Sequence, residues 1–329
     1  MLKINKILVP TDFSKGAKDA YRYAKAVAER FGGKIDFIHV IPILKYLNES
    51  IGKLGLPLDM DKDIYPKILI NSKKRLEDEL TLNIPQEFRG MVHVKVNRKA
   101  HDTIVELAEK QGYDMIIMGA KGSHENSLIK GSTAEKVIRH STVPVLCVHG
   151  DLPPNGVNRV LVPTDYSTLS IASLEYAVSM ASSLDSEVTL LHVLELYGSP
   201  IENEPRNAEP GRGDADNMSR KLLDKVKSHL EKNTLGERTW TILEEDGKTY
   251  LYKDAPTKRK IRLNVEVVRG ISAHYAIADF ANTESDMIVM TTHGRSGLSH
   301  LFLGSTTERV IMSSDVPVLT VRPQKKAKS

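Results

Sequence analysis

The residues of this chain best placed to do chemistry lie at two acidic strand ends and in two glycine-rich loops. The strand ends are Pro10-Thr11-Asp12 and Pro163-Thr164-Asp165. One loop, MGAKGSHENSLIKGST, carries Met118, Gly119, Lys121, Gly122, Gly131, Ser132 and Thr133. The other, MTTHGRSGLSHLFLGST, carries Met290, Thr291, His293, Gly294, Gly304, Ser305 and Thr306. A carboxylate just past a strand can accept hydrogen bonds from the amino group of a base or from sugar hydroxyls; it can equally do no more than order the strand-to-helix turn. Glycines let main-chain N–H groups approach anionic oxygens with no Cβ in the way. A helix starting at each GST would turn its unpaired amides and positive dipole end toward an anion, worth about 0.3–1 kcal/mol at an exposed site. Taken alone, glycines ahead of a helix mean only a tight turn.

Other polar residues are weaker candidates. His39 and His192 sit at equivalent strand positions and read as satisfied sheet histidines. His101-Asp102 reads as an unrepeated helix-start turn. Lys121 and His293 match in position and offer charge to a phosphate, or are solvated loop side chains. Glu135 and Glu308 read as first-turn residues that suit a helix dipole. No Walker A, GxGxxG, HExxH or nucleophile-elbow sequence occurs. There is no evident base for water and no Mg²⁺ carboxylate pair, so binding is expected rather than turnover.

The elements that must position these residues occur twice. KILVPTDFS, from Lys6, returns as RVLVPTDYS, from Arg159. FIHV, ending at Val40, returns as LLHV, ending at Val193; DMIIMG, from Asp114, returns as DMIVMT, from Asp286. GSTAEKVI and VPVLCV return as GSTTERVI and VPVLTV. Matched blocks in unchanged order mean duplication. The expected copies are residues 1–150 and 156–323, joined through DLPPNG, with an insertion in the second around 197–260. Inside that insertion, TWTILEEDGKTYLYK places Asp-Gly between β-prone runs, a hairpin signal.

Within each copy, apolar runs too buried for a strand with one wet face alternate with helical spacing. Ala17, Ala20, Tyr21, Ala24, Val27, Ala28 and Phe31 share one face, as do Leu174, Ala177, Val178, Ala181 and Leu184. Ser14 and Ser167 are placed to cap these helices, and Gly32-Gly33 to end the first. The expected fold is α/β: two doubly wound, Rossmann-like domains in tandem, each on a parallel five-stranded sheet. In such a sheet ligands sit beyond the carboxyl ends of the strands, at the switch point, which is where Asp12 and Asp165 fall.

With 46 basic and 42 acidic side chains, the net charge of +4 gives no reason to expect nucleic acid. The single cysteine, Cys147, excludes an intrachain disulfide and a cysteine-based metal cluster. No signal peptide or membrane-length apolar run is present, so neither a membrane partner nor a non-cytoplasmic location is expected.

VPTD near the start, HV ending the second strand and a G-x2-G-x9-G-[ST] loop before a last PVL strand resemble the universal stress protein family. The likeness covers nearly the whole chain, twice. It implies binding of ATP or another adenine nucleotide such as AMP, with or without Mg²⁺, in a stress-response role. By that likeness Asp12, Val40, Gly119, Gly122, Gly131, Ser132 and Thr133 line a first site, and Asp165, Val193, Gly294, Gly304, Ser305 and Thr306 a second. It also implies pairing of VPVLCV with VPVLTV as an internal pseudo-dimer, with further homodimerisation left open. Both copies depart from the pattern: the first has eight residues between Gly122 and Gly131, and the second has Thr291 where the first Gly belongs. A missing residue moves a loop while a threonine only adds a side chain, so the second copy is expected to be the better site. The alternative is a protein-interaction or chaperone-like module with degenerate nucleotide sites; a slow ATPase has least support.

Overall fold

In a computed structural model, residues 3–43, 60–120, 132–196, 212–232, 240–253, 258–292 and 303–322 are described. The chain divides into two compact units, Lys3–Leu152 and one containing Pro153–Ser329.

The first unit runs β1 (Lys6–Pro10), α1 (Lys15–Phe31), β2 (Lys34–Pro42), α2 (Tyr65–Asn83), β3 (Arg89–Asn97), α3 (Ala100–Lys110), β4 (Met115–Gly119), α4 (Ser132–His140) and β5 (Val145–Val148). Its strands are all parallel, in the order β3-β2-β1-β4-β5. The chain leaves β1 for β2 on one side and later sets β4 on the other, which creates the switch point. Ile7, Leu8 and Val9 are fully buried, as a strand covered on both faces requires. Ser14 caps α1 by accepting the Ala17 N–H at 3.2 Å, and Gly32 ends it in the left-handed region at φ 79°.

The second unit repeats this plan: β6 (Arg159–Pro163), α5 (Thr168–Leu184), β7 (Glu187–Glu195), α6 (Arg212–Lys232), then β10 (Arg259–Gly270), α7 (Ala273–Glu284), β11 (Met287–Thr291), α8 (Ser305–Ser313) and β12 (Val318–Val321). Its parallel strands run β10-β7-β6-β11-β12. Ser167 caps α5 by accepting the Ser170 N–H at 3.1 Å.

The insertion adds β8 (Thr241–Glu245) and β9 (Lys248–Lys253), an antiparallel hairpin paired to the start of β10. Its turn is the Asp-Gly of the sequence, with Asp246 at φ 51° and Gly247 at φ 68°, both in the left-handed region that a two-residue hairpin turn demands.

Asp114 and Asp286 recur as structural carboxylates. Each accepts two main-chain N–H groups at the start of its copy's first strand: Asn5 and Lys6 at 2.7 and 3.0 Å, and Asn158 and Arg159 both at 2.9 Å. Among the described residues no helix is long and apolar enough to cross a membrane.

Candidate nucleotide site at the strand ends

The acidic strand ends fold alike in the two copies. Thr11 N–H donates to the Ile38 carbonyl at 2.9 Å, and Thr164 N–H to the Leu191 carbonyl at 2.8 Å. These bonds carry the parallel ladder one residue beyond each proline. Asp12 and Asp165 each use Oδ1 to accept the N–H two residues on, of Ser14 and Ser167, both at 3.0 Å. The turn-ordering role is therefore real in both copies. It occupies one carboxylate oxygen and fixes the plane of the group.

The next residue is an aromatic with left-handed backbone, Phe13 at φ 65° and Tyr166 at φ 63°. Its ring packs on the strand-end histidine, with centroids 4.6 Å apart for Phe13–His39 and 4.3 Å for Tyr166–His192. Each histidine sets Nδ1 2.8 Å from the preceding threonine's carbonyl, Thr11 or Thr164. A carbonyl only accepts, so Nδ1 carries the proton. These are satisfied sheet histidines, as expected. A cation lies over each aromatic ring, Arg75 at 4.0 Å from Phe13 and Lys225 at 5.5 Å from Tyr166. Lys225 also donates to the Tyr166 carbonyl at 2.9 Å.

At the second copy's strand ends lies a cavity of about 340 Å³. Segments far apart in sequence meet there: Pro163, Thr164 and Asp165 from the end of β6, Val193 from β7, and Met290 and Thr291 from β11. The last wall is the start of α8, with Gly304, Ser305 and Thr306. Gly304 is the N-cap, with extended backbone and no side-chain cap bond, and its own N–H goes back to the Thr292 carbonyl at 2.8 Å. First-turn amides of a helix have no intrahelical acceptor, and Ser305, Thr306 and Thr307 all line the cavity. Thr307 is anchored instead through its hydroxyl, which donates to the Thr291 carbonyl at 2.9 Å.

Sequence reasoning missed six lining residues, one of them Thr307 at the start of α8. Ala273 and Ile277 come from α7, Leu191 and His192 from β7, and Ser170 from α5. A signal for Ala273 and Ile277 was present, since α7 starts at the carboxyl edge of the sheet and positions four apart share a helix face. The Ser170 hydroxyl lies 2.9 Å from that of Thr164 and fixes its rotamer.

In the first copy Pro10, Thr11 and Met118 are buried, Val40 and Thr133 are half-buried and Asp12 is exposed. Thr11 is held by the Tyr21 hydroxyl at 2.6 Å. Lys121, Gly122 and Gly131, and in the second copy His293 and Gly294, lie outside the described residues, as does the Ser132 side chain. Gly119 has a structural reason for lacking a side chain: a Cβ there would lie 2.2 Å from the Gly16 carbonyl oxygen. Glycine at 119 is thus required by the close approach of α1 to the end of β4.

One sequence reading is corrected. The histidine of His101-Asp102 does recur, because His101 and His274 are each the second residue of an equivalent helix, α3 and α7. It escaped notice because the offset at that point is one residue larger than at Asp114 and Asp286. The acidic neighbour does not recur, since Tyr275 stands in its place.

The sequence profile of the Universal stress protein family matches residues 3–149 and again residues 156–322. The chain belongs to the universal stress protein family. Universal stress protein Slr1230 of Synechocystis sp. is 25% identical over 333 residues, covering 97% of this chain and 100% of the relative. Universal stress protein MJ0531 of Methanocaldococcus jannaschii is 26% identical over 175 residues, covering 52% of this chain and 88% of its own length. The first relative therefore shares the tandem arrangement, and the second corresponds to about half of it. Among solved structures, a universal stress protein from Archaeoglobus fulgidus DSM 4304 superimposes with a TM-score of 0.64 at 21% identity, covering 99% of both chains. That likeness speaks for the fold. Within this universal stress protein, then, both copies keep the acidic strand end, and the described second copy joins it to a cavity and a helix start.

Proposed function

We propose that this universal stress protein binds an adenine nucleotide, ATP or AMP, without turning it over, and that the cavity of the second copy is its principal site. The observation that carries the reading is the meeting, around one cavity of about 340 Å³, of an acidic strand end, an apolar wall and an uncapped helix start. This size falls within the range of small-molecule sites, roughly 300–1,000 Å³. Leu191, Val193, Ile277 and Met290 offer apolar surface to a base. Asp165, fixed in plane by the Ser167 amide, offers an acceptor to the base amino group or the ribose hydroxyls. The first-turn amides of α8 and the Ser305 and Thr306 hydroxyls offer donors to phosphate oxygens, assisted by the helix dipole.

Asp165 is the single carboxylate of the lining, and among the described residues no group of three or more His, Cys, Asp or Glu is arranged to hold a metal ion. A Mg²⁺ ion would accordingly arrive on the nucleotide's own phosphates. The first copy is the secondary site in this reading, with Asp12, Val40 and Thr133 in the matching roles.

Isothermal titration of ATP into nucleotide-stripped protein tests the proposal. Asp165→Asn keeps the shape of the side chain and its bond from Ser167 N–H but removes the charge. A hydrogen bond to a charged group contributes about 1.5–3 kcal/mol, so the variant should bind about 10–100-fold more weakly. Millimolar or absent binding by the unaltered protein would sink the reading. So would an affinity indifferent to Asp165→Asn and to Asp12→Asn.

A further inference from the structure

The insertion that lengthens the second copy also builds a cleft at the opposite end of its sheet. Strand β10 has twelve residues where β3 has nine. Its pairing with β7 begins only at Leu263 opposite Val188. Residues Arg259 to Arg262 pair with β9 alone, so their other edge meets no strand, and alternate residues turn main-chain amides and carbonyls toward it. The end of α5 and the start of β7 close the space, giving a cleft of about 290 Å³. It lies about 20 Å from the nucleotide cavity, the length of β7 from Glu187 to Val193.

Four cations, Lys258, Arg259, Lys260 and Arg262, line this cleft against two carboxylates, Asp185 and Glu187. Of the two carboxylates only Glu187 is engaged, and Asp185 has no cation on it among the described residues. Lys260 is paired with Glu245 and lies over the Tyr250 ring. Glu187 is approached by Arg262 at 3.8 Å and accepts from Asn264 at 3.2 Å. Lys258 and Arg259 have no side-chain acceptor among the described residues. The wall opposite them holds Ser182, 7% exposed, whose hydroxyl has no hydrogen-bond partner among the described residues either. The buried side-chain atoms without a partner among the described residues are Arg139 Nε, Ser285 Oγ and Arg322 Nε, so the Ser182 hydroxyl is reached by solvent in the cleft and is free to donate. The first copy lacks the feature: Glu29 stands at the position of Ser182, and the Lys34 ammonium is taken by the Glu87 carbonyl at 2.7 Å.

We propose that this cleft is a second binding site, separate from the nucleotide cavity, for a small phosphorylated anion. Lys258 and the guanidinium of Arg259 meet the phosphate oxygens, and Ser182 donates its hydroxyl to one of them. Arginine suits this role because its planar fork matches two oxygens at once. The competing use of the same cations is to sit against the negative carbonyl end of α5.

Inorganic pyrophosphate, titrated into the full chain at low salt, discriminates the two. The chain's one tryptophan, Trp240, lies with its ring 5.6 Å from Lys253, the register partner of Arg259, so its emission reports on this edge. One saturable site is expected by heat and by Trp240 emission. Lys258→Gln, at an exposed position, and Arg259→Gln should each weaken it about tenfold, while ATP binding at the strand ends stays unchanged. Ser182→Ala should weaken it to a lesser degree. The proposal is overturned if pyrophosphate gives no saturable signal, or binds equally to Lys258→Gln and Arg259→Gln. A loss of stability in Arg259→Gln with no change in pyrophosphate affinity would assign the cations to the end of α5.

Discussion

Replacing Asp36 by Asn alters one atom's chemistry and almost no volume, at a position only 2% exposed. The Asp36 carboxylate accepts the Tyr113 hydroxyl at 2.6 Å and the Met91 N–H at 2.8 Å, with His93 Nε2 at 3.5 Å. Gly90 makes room for it, since a Cβ there would lie 1.8 Å from Oδ1. Burial alone would push the Asp36 pKa up, but bonds from His93, Tyr113 and Met91 outweigh it and hold the carboxyl below its ordinary value. Asn can still accept from Met91, but its amide meets the Tyr113 hydroxyl as a donor, so a charge-assisted bond becomes a neutral one. That loss is about 1.5–3 kcal/mol. With a urea slope near 2 kcal/mol/M, the midpoint of the first copy should fall by about 1 M. The second copy has Thr189 at this position, and Trp240 lies in that unit, so tryptophan emission should keep its midpoint while the far-UV dichroism of the first copy shifts. The pH dependence has a fixed sign. A folded-state pKa below the unfolded one gives stability that is complete above the unfolded value, about 4, and is lost as pH falls through the folded value. Asp36→Asn and the unaltered protein should therefore converge in acid. An equal midpoint at neutral pH, or a gap that persists below the folded pKa of Asp36, would refute this reasoning.

Gly119→Ala forces a Cβ to 2.2 Å from a main-chain oxygen that no rotamer change can move. Thermal unfolding of the first copy should register a loss of about 1–3 kcal/mol, and unchanged stability would mean that α1 shifts freely. Cys147 is fully buried, and burial pushes its thiol up to about 12. An aromatic disulfide reagent at mildly alkaline pH should label it only at the rate of unfolding, and rapid stoichiometric labelling of native protein would contradict that.

Much of the fold was legible because its causes are local or periodic. Ser14 and Ser167 cap where hydroxyls precede apolar helical spacing, and Asp246-Gly247 turns where only a left-handed pair closes a hairpin. What was not legible depends on partners distant in the chain. Asp36 sits inside the apolar run IDFIHV and is explained by Tyr113, His93 and Met91, which the fold delivers from elsewhere. Ala273 and Ile277 belong to the cavity because α7 begins beside β6 and β7, a fact of topology rather than of residue type.

The glycine loop shows how a correct motif can hide a different cause. Gly119 matches the family pattern, yet its missing side chain answers to the Gly16 backbone. At the equivalent places the second copy has Leu169 for Gly16 and Thr291 for Gly119. Both glycines of the close contact have been exchanged for side chains, so the two positions differ as a pair. In the first copy a backbone-to-backbone approach ties α1 to β4. In the second, Thr291 lines the cavity. A glycine in a phosphate-loop pattern therefore carries two separable demands, close helix packing and open access to a ligand. Exchanging both glycines, as the second copy does, leaves a cavity beside the start of α8.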